Sequence, residues 1–68
     1  MTNKESALLQ LMQDEGYTLG TTNLTLHLLG DKKEALDELI LFISDEHPNE
    51  EDFIERLSEV CEKVGIEF

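Results

Sequence analysis

Thr18-Leu19-Gly20-Thr21-Thr22-Asn23-Leu24-Thr25-Leu26-His27-Leu28-Leu29-Gly30 is the stretch on which the fold class turns. Leu24, Leu26 and Leu28 alternate with Thr25 and His27 as in a β-strand, yet Leu24 and Leu28 are also four apart, as on one face of a helix. A strand needs a neighbour to satisfy its backbone N–H and C=O groups, and no second segment of the chain has the period-two pattern. The stretch is therefore expected to be a short helix. Residues 18–22 combine a flexible glycine with β-branched hydroxyl residues, which suits a turn leading into that helix with Thr21 or Thr22 as its N-cap.

Towards the N-terminus, Thr2 and Glu5 have capping-box spacing and predict a helix from near residue 3. Leu8, Leu9, Leu11 and Met12 give it one broad apolar face, Gly16 is the left-handed residue that ends it, and Tyr17 folds back on its last turn. Towards the C-terminus, Gly30 closes the second helix, and Asp31 with Glu34 predicts a capping box for a third. Ala35, Leu36, Leu39, Ile40 and Ile43 form its stripe, Leu41 and Phe42 widen the apolar surface, and Glu34, Asp37 and Glu38 should face water. Ser44–Asn49 is a break, because Pro48 disfavours helical geometry at His47 and Asn49 is a good N-cap. In a fourth helix Glu50, Glu51 and Asp52 occupy the first turn, where the helix dipole favours negative charge. Phe53, Leu57, Val60 and Val64 form its seam with Ile54 and Cys61 beside it; Gly65 ends it and Ile66 covers Cys61. The expected architecture is all-α: one small domain over residues 1–68, a compact bundle of four short helices.

Composition agrees with a folded chain. Hydrophobic residues make up 40% of the 68, which takes the sequence out of the disordered class despite its charge. Sixteen acids against five bases give a net charge of -11, too negative to attract a phosphate backbone or an anionic membrane surface. Direct nucleic-acid and membrane binding are therefore not expected. The longest apolar run, Leu39–Ile43, cannot cross a bilayer that demands about 20 residues. The opening residues enter the amphipathic pattern without the apolar core of a leader peptide, and the single Cys61 allows no internal disulfide; both suggest a reducing, cytoplasmic setting. The charge is lopsided. Residues 1–30 set Lys4 against Glu5, Asp14 and Glu15, net -2, whereas residues 31–68 set four bases against thirteen acids, net -9.

Catalysis needs converging groups with tuned pKa values, and only Tyr17, His27, His47, Cys61 and dispersed carboxylates are on offer. Cys61, on an apolar helix face with no cation near it in sequence, reads as a small buried hydrophobe. His47 has Asp45 and Glu50 nearby as metal-ligand types, but the chain lacks paired histidines at helical spacing and the calcium-loop pattern, and a solvated loop is the simpler account. His27 stands alone, and no Lys-Ser or Lys-Thr follows the glycines to make a phosphate loop. No enzyme activity, metal or cofactor is expected.

Over residues 7–43, Ala7-Leu8-Leu9-Gln10-Leu11-Met12, Gly16-Tyr17, Leu28-Leu29-Gly30-Asp31 and Ala35-Leu36-Asp37-Glu38-Leu39 follow one another as a first helix, a glycine-aromatic loop, a glycine turn and a third-helix core. In this order and spacing the stretch resembles the ubiquitin-associated domain family. The resemblance implies a three-helix frame that binds ubiquitin or other protein surfaces. Glu15 stands where the family's loop has an apolar contact residue, and Lys32 and Lys33 replace a commonly apolar position.

The functional expectation is a small non-catalytic module or regulator that binds a protein with a basic or mixed basic-apolar surface. Its apolar centre would be Leu41, Phe42, Phe53 and Leu57, rimmed by Asp45, Glu46, Glu50, Glu51 and Asp52. The excess of large apolar residues, Leu9, Leu19, Leu26, Leu41 and Phe42, also admits a homodimer seam. The alternative is a nucleic-acid mimic whose carboxylates occupy the basic groove of a DNA- or RNA-binding protein.

Overall fold

The computed structural model describes residues 3–66. Four helices follow one another, α1 (Asn3–Asp14), α2 (Leu19–Leu29), α3 (Lys33–Glu46) and α4 (Glu50–Lys63), and no strand occurs among the described residues. The ambiguous stretch is thus helical, and the bundle is all-α, measuring 28 × 25 × 22 Å. Thr2, half of the capping box expected for α1, lies outside the described residues.

α3 is central, packing on α1, α2 and α4, with its most extensive contact against α1. Ala35, Leu36, Leu39 and Ile43 bury its expected stripe, and Leu8 and Met12 of α1, Leu29 of α2 and Phe53, Leu57, Val60 and Cys61 of α4 meet them in a single core. Leu11, Leu28, Ile40 and Ile66 are partly buried against it. Asp37 and Glu38, expected in water, are half-buried in ion pairs that tie α3 to its neighbours. Lys4 of α1 pairs with Asp37, and Lys63 of α4 lies 3.1 Å from Glu38.

The helix ends explain the connections. Gly16 adopts φ +82°, a conformation costly for any side chain with a Cβ. This lets Gly16 N–H donate to Gln13 O and Tyr17 N–H to Met12 O, both at 3.0 Å. Tyr17 is thereby turned inward, its ring 5.0 Å from that of Phe53 and its hydroxyl donating to Pro48 O at 2.6 Å. One residue so joins the end of α1 to the α3–α4 connection. Burial first, then the charges of Glu15, Glu50 and Asp52, push the Tyr17 phenol up to about 12. At the far end of α4, Ile66 N–H donates to Cys61 O at 2.8 Å, so the expected terminal fold-back forms.

Four local expectations are corrected. The N-cap of α2 is Thr18 rather than Thr21 or Thr22; its hydroxyl accepts from Thr21 N–H at 3.4 Å, and Thr21 and Thr22 lie buried within the helix. The Asp31–Glu34 capping box does not form. Gly30 ends α2 in a right-handed conformation, Lys32 N–H donates back to Leu29 O, and Lys32 becomes an N-cap without a side-chain bond. The break after α3 is shorter than Ser44–Asn49: the helix continues through Glu46 because Pro48 restricts only the residue before it, and His47 takes the left-handed φ of +46°. Val64, assigned to the α4 seam, is 39% exposed at the helix end.

Candidate interaction surface

The outer face of α4 is built by the same spacing that buries its inner one. With Phe53, Leu57, Val60 and Cys61 turned into the core, the opposite side carries Glu51, Asp52, Glu55, Glu59 and Glu62, all exposed. Asp52, Glu55, Glu59 and Glu62 recur at three, four and three residues, a row about 15 Å long at 1.5 Å per residue. Helix formation at this position is secured by Asn49, whose side-chain oxygen accepts from Asp52 N–H at 2.8 Å.

Beside this row, α3 contributes Leu41, 61% exposed, and the half-buried Phe42. The Arg56 guanidinium sits 4.4 Å from the Phe42 ring centroid and its Nε is 3.3 Å from Glu59. Phe42, Asp52, Glu55, Arg56 and Glu59 together line a shallow depression between the two helices. Asp45 and Glu46 are exposed at the end of α3.

The carboxylates differ in how well the fold accounts for them. Glu50, Glu51 and Asp52 complement the dipole at the start of α4, and Asp37 and Glu38 are held in ion pairs. Asp45 and Glu46 close α3, whose last turn holds no basic residue, and Glu62 lies near the end of α4; the dipole opposes negative charge at both places. Glu55 and Glu59 stand mid-helix in water, with only Arg56 against Glu59. Asp45, Glu46 and Glu62 therefore gain nothing from the helix dipoles, and folding does not explain their presence; Glu55 and Glu59 suit a helix interior, Glu59 with its i,i+3 pair to Arg56, and add their charge to the same exposed face.

The structure keeps seven of the nine sequence-predicted contact residues at the surface: Leu41, Phe42, Asp45, Glu46, Glu50, Glu51 and Asp52. Phe53 and Leu57 are corrected. Both are 0% exposed, because the seam of α4, which packs on α2 and α3, is taken up by the core. Glu50 stays partly exposed, but its carboxylate is engaged: it turns towards α2 and accepts from Thr18 N–H at 3.1 Å, Thr18 Oγ1 at 2.6 Å and Thr21 Oγ1. The Thr18 hydroxyl, then that of Thr21, holds the Glu50 carboxyl below the usual carboxylate range. It is a clasp between two helix N-termini. Glu55, Glu59 and Glu62 were missed because the contiguous acidic run stops at Asp52; their spacing opposite Phe53–Leu57–Val60 was the available signal.

The remaining chemistry-bearing groups are dispersed. His47 Nδ1 lies 3.1 Å from Glu15, while His27 is exposed on α2. Among the described residues no group of three His, Cys, Asp or Glu side chains is placed to hold a metal ion, and no helix is long and apolar enough to cross a membrane. Cys61 is fully buried, and that burial pushes its thiol pKa up, away from the thiolate. No family model, curated protein or solved structure matches the chain.

Proposed function

We propose that this protein is a non-catalytic interaction module that captures a basic macromolecular surface on the outer face of α3 and α4. The observation that carries this reading is the set of exposed carboxylates Asp45, Glu46, Glu55, Glu59 and Glu62, three of which, Asp45, Glu46 and Glu62, the helix dipoles oppose, beside the exposed Leu41. Such a face draws a positively charged partner at long range, and Leu41 with the edge of Phe42 supplies apolar contact once it arrives. The order of motifs over residues 7–43 that resembles the ubiquitin-associated family also supports a binding role.

The test compares capture of a partner by the native chain and by the triple variant Glu55→Gln, Glu59→Gln, Glu62→Gln, with helix content checked by circular dichroism. A partner held by the first and lost by the second supports the reading; equal retention by both overturns it. The regular row along α4 favours a second reading, mimicry of a nucleic-acid backbone. That reading expects a complex that dissolves steeply as salt is raised and is indifferent to Leu41→Asp, whereas the adaptor reading expects modest salt dependence and loss of binding on Leu41→Asp.

A further inference from the structure

We infer that the depression between α3 and α4 receives an arginine side chain of the basic partner, and that Arg56 is an internal stopper holding that place until the partner arrives. The inference rests on the reading above, that this face takes a basic surface, and it names the side chain that enters. The chain itself shows what the depression binds. The Arg56 guanidinium lies 4.4 Å from the Phe42 ring centroid and its Nε 3.3 Å from Glu59, so a planar cation is already held between an aromatic face and a carboxylate.

Charge and size identify the occupant. Besides Phe42 the depression is lined by Asp52, Glu55, Arg56 and Glu59, three carboxylates against one guanidinium, a net of -2. Neither Asp52 nor Glu55 is in an ion pair among the described residues, so the site has more acceptors than its own cation uses. Its volume of about 190 Å³ is below the roughly 300 to 1,000 Å³ of small-molecule sites and suits one side chain reaching in from a larger body. Arginine suits it better than lysine. A flat guanidinium stacks on Phe42 and offers paired N–H groups to Glu59, whereas an ammonium is a strongly hydrated point charge with no plane to stack. Arg56 is readily displaced, because its side chain is 37% exposed and is held by one surface ion pair and one ring contact, each weak in water. Its guanidinium leaves the ring while α4 stays packed through Phe53, Leu57 and Val60 on the opposite side.

Short fluorophore-labelled peptides of alternating arginine and glycine, and their lysine counterparts, titrated with the chain at fixed low ionic strength and read by anisotropy, test this. The native chain should prefer the arginine peptide about twofold. Arg56→Gln should strengthen both peptides through the lost positive charge and widen the preference to about fivefold, because the ring is then vacant. Phe42→Leu, which keeps the depression apolar, should bring the two peptides to equal affinity in either background, with helix content unchanged by circular dichroism. If arginine and lysine peptides bind equally to the native and Arg56→Gln chains, and both are lost on the triple glutamate-to-glutamine change, the arginine site is overturned and the basic-partner reading stands. Binding of neither peptide overturns both. A folded Arg56→Gln chain that holds the arginine peptide more weakly than the native chain makes Arg56 a strut rather than a stopper, and also overturns the inference.

Discussion

α2 and α4 are built on opposite plans within one bundle. α4 hides a phenylalanine, a leucine, a valine and a cysteine and shows carboxylates; α2 hides three threonines and a single leucine and shows leucines. The difference teaches that burial depends on local satisfaction as well as on hydropathy. Thr25 Oγ1 donates to Thr21 O at 2.9 Å and Thr22 Oγ1 to Thr18 O at 3.2 Å, so these hydroxyls enter the interior with their hydrogen bonds already made inside their own helix. No such arrangement is open to a carboxylate, and Glu50, which reaches the start of α2, takes three donors from the facing helix terminus.

Substitutions in the two helices sharpen this contrast. Phe53→Ala removes a fully buried ring stacked near Tyr17 and should cost about 3 to 5 kcal/mol, most or all of what a chain of this length has, as urea denaturation would register. Leu29→Ala, at the one fully buried apolar position of α2, should cost about 2 to 5 kcal/mol by the same measurement. If it costs nothing, α2 is held by its threonines alone and the comparison fails.

Smaller effects follow from titration. The folded Glu50 carboxyl titrates below its unfolded value of about 4.3, so its contribution is intact above that pH and is lost as the pH falls through the folded value. Glu50→Gln should therefore flatten the acid limb of a melting-temperature profile, and an unaltered limb would show that the clasp is not coupled to stability. Tyr17 has the opposite sign. Its folded value of about 12 lies above the unfolded value of about 10, so stability present below the lower value declines between the two, and Tyr17→Phe should remove that alkaline decline. Least of all should change with Thr25→Val, because Thr21 O keeps its helical partner and the shapes match; calorimetry should find a difference below about 1 kcal/mol.

Much of this architecture was legible in the residues. The glycine stop and inward aromatic at Gly16-Tyr17, the Asn49 cap and the Ile66 fold-back are local events governed by a few adjacent side chains, and the structure has them where the sequence implied; the Pro48 break forms too, though shorter than Ser44–Asn49. What escaped depends on distant neighbours. Nothing within residues 18–22 reveals that Glu50, more than twenty-five positions away, holds Thr18 and Thr21 and so favours an earlier helix start. Likewise the apolar Phe53 and Leu57 look available to a partner until α2 and α3 close over them. The acidic face was half legible, because contiguous charge is conspicuous in a sequence and charge at helical spacing is not.

Tyr17 has a practical consequence. It is the only tyrosine in a chain without tryptophan, and it touches both Phe53 and the Pro48 carbonyl at a meeting point of helices. Its near-ultraviolet emission is therefore a built-in reporter: every photon comes from one known place, and a change in intensity marks the parting of the α1–α2 connection from α4 without any added label.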